Sequence, residues 1–295
     1  PSVTLAITAK AKSLKAQGVD IIGFGAGEPD FKTPKHIRDA AIRAIEHESI
    51  GYTAASGMES LKQAICDKFK RDNNLEYTQD QIVVSNGAKH SLYNILAAIC
   101  NPGDEVIVPN PYWVSYPELV RLVDAEPVFV ECPESAEFKY TVEALEAAIT
   151  DKTRMIFGET LANPRLTVFD IERWAKVAHE MNCPLIVDNT FATPYLCRPF
   201  EWGADIVVHS TTKYMDGHAV QGGGVIVDGG KFDWKASGKF PEFTEPDESY
   251  HGVVYTRDFG EAAYITKARV QLMRDLGVTP SPNNAFLLSI GLETL

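Results

Sequence analysis

A lysine that follows a buried strand is a candidate nucleophile, and the stretch "DIVVHSTTKYMDGHAVQGGG" (205–224) offers one at Lys213. Ser210, Thr211 and Thr212 precede it; Gly217 and the glycines at 222 to 224 follow. An amine at the mouth of a buried sheet can form an imine with an aldehyde, and neighbouring hydroxyls can hold a phosphate. The plain alternative is a solvated lysine beside a turn. Two more strand ends carry polar groups. Asp188 closes "PLIVD" (184–188), where a carboxylate can cap the next segment or pair with a pyridinium nitrogen. "IVVS" (82–85) runs into Asn86, Gly87, Ala88 and Lys89. If a helix opens there, its first amides and positive dipole end suit a phosphate; an ordinary strand–helix turn needs the same residues. Together, the lysine for an aldehyde, the aspartate for a ring nitrogen and the helix amides with Ser210 and Thr212 for a phosphate meet the needs of pyridoxal 5'-phosphate.

The elements that must position these groups are legible as alternation along the chain. Short apolar runs at 82–85, 105–109, 127–131, 154–158, 184–188, 205–209 and 224–228 read as strands. They are continuously apolar, as strands buried on both faces are. Amphipathic stretches at 57–72, 87–100, 112–122, 141–149 and 168–182 read as helices between them. This order predicts an α/β fold, a mostly parallel sheet sandwiched by helices. Open sheets of this kind bind ligands beyond the carboxyl ends of their strands. Residues 229–256, rich in Gly, Pro, aromatics and acids, break the rhythm and read as a long functional or surface insertion. Helical periodicity returns at 257–276, and "NNAFLLSIGLETL" (283–295) starts an apolar helix whose face needs cover.

Bulk properties narrow the classes. The 295 residues are 45% hydrophobic and 23% charged, ordinary for a globular chain. A net charge of −12 argues against nucleic-acid binding, which needs basic patches. No run approaches a membrane span, and "PSVTLAITAKAKSLKAQG" lacks the apolar core of a signal peptide. Five cysteines, none in a C-x-x-C pair, fit free thiols in a reducing cytoplasm. No histidine spacing matches a zinc site. Gly23, Gly25 and Gly27 approach a dinucleotide fingerprint, but Pro29 and Pro34 follow. A nicotinamide site would need a helix opening on those glycines.

At this point the sequence resembles the fold-type-I pyridoxal-phosphate enzymes, in two parts. Residues 1 to about 150 resemble a class-I aminotransferase of the bacterial aspartate type, through "GAGEPDF" (25–31), "YTAASGMESLKQAI" (52–65), "SNGAKHSLYN" (85–94) and "NPGDEVIVPNPYWVSYPE" (101–118). From about 158 onward the chain resembles O-acetylhomoserine sulfhydrylase of the Cys/Met-metabolism family. The carrying motifs are "GETLANPRLTVFDI" (158–171), "PLIVDNTFATPYLCRPFEWGADIVVHSTTKYMDGH" (184–218) and "EPDESYHGVVY" (245–255). The chain is therefore read as a chimera joined near 150–158, of engineered origin. The resemblance divides it into an N-terminal segment (1–27), a cofactor-binding large domain (28–281) and the start of a helix (282–295) that leads to a smaller C-terminal domain in both families, a domain absent from this sequence.

The resemblance implies roles. Lys213 is the Schiff-base lysine and general base, and Asp188 the partner of the pyridinium nitrogen. Ser210 and Thr212, with the backbone of Gly87 and Ala88, hold the phosphate. Trp113 stacks on the cofactor ring, and Asn163 lies near its phenolic oxygen. Tyr52 reaches the neighbouring subunit's phosphate, which implies a homodimer or larger homo-oligomer. The substrate is an amino acid and the reaction a transfer: sulfhydrylase-like by the lysine-bearing half, or aminotransferase-like by the other. Some positions depart from both patterns. Phe191 replaces an aminotransferase tyrosine. No arginine follows Lys213 in "YMDGHAVQGGG". Trp113 lacks the hydroxyl of the sulfhydrylase's stacking tyrosine, and the tyrosine–arginine pair that the sulfhydrylase takes from its neighbour is missing from the first half. The arginine that grips the substrate carboxylate belongs to the C-terminal domain. A scaffold that binds the cofactor with little or no catalysis is thus a rival expectation.

Overall fold

All seven apolar runs form strands: β1 (Ile82–Ser85), β2 (Glu105–Asn110), β3 (Glu126–Glu131), β4 (Thr153–Glu159), β5 (Leu185–Asp188), β6 (Ile206–Ser210) and β7 (Gly224–Asp228). The computed structural model describes residues 3–22, 32–47, 51–163, 166–218, 220–274, 279–293 and 295. Among these residues the strands make one sheet in the order β1-β7-β6-β5-β4-β2-β3. β2 to β6 run parallel, and β7 is antiparallel to both β6 and β1. Central strands are buried on both faces; every residue of β5 and β7 is buried. This explains why their sequences do not alternate.

Two helices that the sequence reading did not mark come first, α1 (Val3–Ala16) and α2 (Lys35–His47); the five predicted ones follow with small shifts as α3 (Glu59–Asn73), α4 (Ala88–Ile99), α5 (Ser115–Arg121), α6 (Val142–Ala148) and α7 (Ile171–Glu180). Asp170 caps α7, its Oδ1 accepting from the Arg173 amide at 3.2 Å, and Thr141 caps α6 in the same way. Such caps hold each helix start where a strand must end. One face of the sheet packs on α4 and α5 through Leu92, Ile95, Leu119, Ile206 and Val208. The other packs on α7 through Ile171, Trp174 and Val187, and on α3 through Leu61, Ile65 and Val225. Each fully buried aliphatic contributes about 1.5–3 kcal/mol, so these seams fix which strand ends share an edge.

Two expectations are corrected and one is refined. Residues 229–256 are largely exposed or half-buried but are pinned to the core. Trp234, Phe240, Phe243 and Tyr255 are buried, and Trp234 stacks on Phe243 with ring centroids 4.5 Å apart. The aromatics read as loop decoration because their short helices, such as Trp234–Ser237 and Pro241–Thr244, are too brief to show a period. The helix expected at 257–276 is broken: pieces at Tyr255–Asp258 and Ala263–Lys267 flank a turn at Gly260–Ala262, and a wide turn spans Ala268–Met273. The apolar face of the C-terminal helix Pro282–Leu292 is covered within the chain. Leu288 and Leu292 join the α3 cluster, and Leu287 and Ile290 pack with Ile37 of α2. The glycine motif at 23–27, and with it "GAGEPDF", lies outside the described residues. No described helix is long and apolar enough to cross a membrane.

His209 sits inside β6 at 1% exposure with Nδ1 unpartnered among the described residues. Burial pulls its pKa down to about 3, the Asn189 backbone opposing and the Lys68 ammonium assisting. The folded state therefore keeps His209 neutral while the unfolded chain takes up a proton below about 6.5. Stability is present above that value and lost as pH falls. Between pH 8 and pH 5 wild type should lose about 2 kcal/mol more than a His209→Asn variant, read from urea midpoints at each pH. Equal losses in the two proteins would contradict this burial.

Candidate functional site

The sheet brings the sequence's candidate residues to one edge. The register sets Ser85 of β1 opposite Gly224 of β7, and Gly224 opposite Ser210 of β6. It likewise sets Glu159 of β4 beside Asp188 of β5. The parallel strands end where the antiparallel strand begins, so the helix opening, the aspartate and the lysine turn share one rim, as expected for a ligand site in an open sheet.

Lys213 lies in the wide turn Thr211–Met215 that leaves β6. Its φ of −95° and ψ of −122° depart from the helical conformation of its neighbours. The side chain is exposed and makes no ion pair or hydrogen bond with any described residue. The turn is laced to the glycine run. Thr212 Oγ1 accepts from the Gly223 amide at 2.9 Å and donates to the Gly223 carbonyl at 3.2 Å, and the Gln221 amide donates to the Thr211 carbonyl at 3.0 Å. The Thr212 hydroxyl is thus engaged with backbone, and its donation to a phosphate would replace the bond to Gly223. On the other flank, the Ser210 amide donates to Thr190 Oγ1 at 2.7 Å. From behind, Asn284 of the C-terminal helix donates to the Gly222 carbonyl at 2.9 Å.

The helix opening is built for an anion. Gly87 is the N-cap of α4 at φ 99°, a left-handed conformation that a side chain would resist. The first amides of α4 consequently have no intrahelical partner. β7 passes close beneath: a Cβ on Gly224 would lie 2.4 Å from the Gly87 carbonyl oxygen and 2.6 Å from Ser91 Oγ. A Cβ on Gly87 itself would meet only open space. The buried hydroxyls of Ser85 and Ser91 have no hydrogen-bond partner among the described residues. The Gly87 amide itself donates to the Ser85 carbonyl at 3.0 Å, so its donation to a phosphate would replace that bond. Open space over the first amides of α4 fits a phosphate. Ala88 supplies the first amide of that helix.

Asp188 is buried, 9% exposed, and accepts from the Thr190 amide at 2.9 Å. Burial raises its pKa above the usual carboxylate range, with Thr190 opposing. A carboxylate so placed gains from a cationic N–H brought beside it. Trp113 is half-buried at the rim, edge-on to Tyr116 at 5.3 Å, with the Lys89 ammonium 5.0 Å from its ring centre. Asn163 is exposed; its amide donates to Glu159 Oε2 at 2.7 Å. Tyr52 is fully exposed and makes no hydrogen bond or ring contact with any described residue, so within one chain it stands apart from the rest.

Four residues escaped the sequence reading. Lys89 had a signal, being a cation in the first turn of a helix. Ser91 lies one turn into α4, where only the fold shows that it faces β7. Tyr116 and Glu159 had none: Tyr116 sits in an ordinary amphipathic run, and Glu159 looks like a polar residue closing a strand. In the fold the Tyr116 hydroxyl bonds to Glu159 Oε1. Desolvation pushes the Glu159 pKa up to about 7; Tyr116 and the Asn163 amide oppose, and Asp188 adds to the rise.

Comparison with known proteins places this geometry. The sequence profile of the Cys/Met metabolism PLP-dependent enzymes matches residues 69–295, reaching well before the part where the motifs alone are sulfhydrylase-like. The chain is 50% identical over 194 residues to an aspartate aminotransferase of Bacillus sp. (strain YM-2), covering 65% of this chain and 50% of that one. It is 52% identical over 172 residues to an aspartate/prephenate aminotransferase of Nitrosomonas europaea, covering 58% and 43%. The chain thus spans about half the length of the curated relatives it matches. Among solved structures, the aspartate aminotransferase of Thermus thermophilus with maleate superposes with a TM-score of 0.79 at 28% identity, over 100% of this chain and 70% of that one.

Gly224→Ala should separate β7 from the α4 opening. Overpacking against a backbone carbonyl costs about 1–3 kcal/mol, read as a lower urea midpoint. Titration with pyridoxal 5'-phosphate should show binding weakened about tenfold or more, since the helix amides move. Unchanged affinity would show that the phosphate cradle is elsewhere.

Proposed function

Because this chain belongs to the Cys/Met metabolism PLP-dependent enzyme family, with pyridoxal 5'-phosphate as its cofactor, we propose that it is a transferase acting on amino acids, with Lys213 as the residue that bonds the cofactor's aldehyde. The observation that carries this reading is the shared rim: the unpaired Lys213 amine, the buried Asp188 carboxylate and the open α4 cradle lie at neighbouring strand ends.

When bound, the cofactor supplies an aldehyde for the substrate amine and a ring that withdraws electrons from the substrate's Cα. The chain's own residues do the rest. The amides of Gly87 and Ala88 with the Ser210 and Thr212 hydroxyls anchor the phosphate. Asp188 holds the proton on the ring nitrogen, where its burial strengthens the pairing. Trp113 covers one ring face and excludes water, and Asn163 approaches the phenolic oxygen. The Lys213 amine would serve as the base that takes the proton from the substrate's Cα. The large domain is assigned to 28–281, flanked by 1–27 and 282–295. A second copy would place its exposed Tyr52 at this phosphate. The five cysteines, all free, support a cytoplasmic setting.

Two transfers compete. The lysine-bearing half, with "GETLANPRLTVFDI" and "HSTTKYMDGH", favours an O-acetylhomoserine sulfhydrylase-like exchange at Cγ. The high identity to aspartate aminotransferases over part of the chain favours amino transfer. The motif resemblance alone carries the reading of a composite origin near 150–158. Assays with O-acetylhomoserine plus sulfide, and with aspartate plus a keto acid, separate the readings; turnover on neither leaves the cofactor-binding scaffold. Lys213→Ala should abolish the visible absorbance of the cofactor-loaded protein and lower any turnover by about 10²–10⁴-fold. A variant that keeps both would remove Lys213 from this role.

A further inference from the structure

One carboxyl group touches three sides of the proposed site. Glu159 Oε2 accepts the Asn163 amide at 2.7 Å. Its Oε1 bonds to the hydroxyl of Tyr116, and the Tyr116 ring stands edge-on against Trp113 at 5.3 Å. Across the β4–β5 ladder Glu159 pairs in register with Asp188. The residues proposed for the phenolic oxygen, the ring face and the ring nitrogen are therefore all in contact with, or one residue removed from, a single side chain.

We infer that Glu159 is a positioning residue for the cofactor: it fixes Asn163 and the Tyr116–Trp113 pair, and its charge sets that of Asp188 beside it. This rests on the assignment of Asp188, Asn163 and Trp113 to the cofactor. Two buried carboxyls at adjacent strand ends cannot both ionise cheaply. Glu159 is the one that holds a proton near neutrality: burial raises it to about 7, with Asp188 adding to the rise. A neutral Glu159 leaves Asp188 free to carry the charge that a protonated ring nitrogen needs. As pH rises through 7, Glu159 ionises, and its field favours a proton on Asp188 or retention of the ring-nitrogen proton. The groups facing it are Tyr116 from α5, the Asn163 amide beyond β4 and Asp188 from β5. Glu159, Tyr116 and Asn163 line a cavity of about 310 Å³ together with Lys139, Asp170 and Arg173, and this cavity gives the carboxyl a route for proton exchange with water.

The test is a pH titration, from 5.5 to 8.5, of the visible absorbance of protein loaded with pyridoxal 5'-phosphate, with the cofactor affinity measured at pH 6 and 8. Wild type should show a spectral midpoint near 7. Glu159→Gln keeps an oxygen for the Asn163 amide but cannot ionise; it should bind within about threefold of wild type and lose that midpoint. Glu159→Ala should weaken binding about tenfold or more, because the Asn163 amide and Tyr116 lose their buried partner. Tyr116→Phe, which leaves the fold's apolar contacts in place, should move the midpoint without removing it, and serves if the alanine variant fails to fold. A midpoint unchanged in Glu159→Gln, or unchanged affinity in Glu159→Ala, overturns the inference while leaving the Lys213 site intact. Wild type without any visible band overturns both.

Discussion

The site hangs on the position of one antiparallel strand. β7 lies between β1 and β6, and its first residue, Gly224, presses against the Gly87 carbonyl more closely than any side chain permits. That contact sets the α4 amides and the Lys213 turn on the same rim. Without it, β1 and the helix that follows would be unrelated in space to β6. The strand's own residues, Val225 to Val227, are at most 1% exposed, so apolar burial on both faces holds the contact shut. Gly224 allows β7 to lie against the Gly87 backbone, and Gly223 leaves room for the Thr211 and Gln221 side chains.

Around this contact the polar groups fall into two kinds. One kind is fully engaged and rigid: Thr212 with Gly223, Ser210 with Thr190, Thr190 with Asp188. The other is buried and unpaired among the described residues, as are Ser85 Oγ and Ser91 Oγ. A buried hydroxyl without a partner costs about 1–3 kcal/mol. The engaged groups hold the geometry of the rim.

Much of this was legible in the sequence, for identifiable reasons. Strands buried on both faces are continuously apolar, so all seven were found, and with them the strand ends that carry Asp188 and Ser210. Lys213 and Gly87 each have a plain explanation alone, and could be singled out only because a lysine, an aspartate and a helix opening recur together at strand ends. Glu159 and Tyr116 could not, because their meaning lies in a contact between β4 and α5 that no local pattern records. The aromatics at 234–255 misled for a related reason: helices of four residues leave no period, and burial of Trp234 and Phe243 depends on partners such as Tyr264. The C-terminal helix misled because its cover, α2 and α3, is distant in sequence.

The central claim is that the Lys213 amine bonds the cofactor. The most direct measurement is borohydride reduction of the cofactor-loaded protein, followed by proteolysis and peptide mass mapping. The account predicts a single reduced cofactor adduct on the peptide that carries Lys213. An adduct on Lys89, the other lysine placed at this rim, or label scattered over surface lysines, would contradict it.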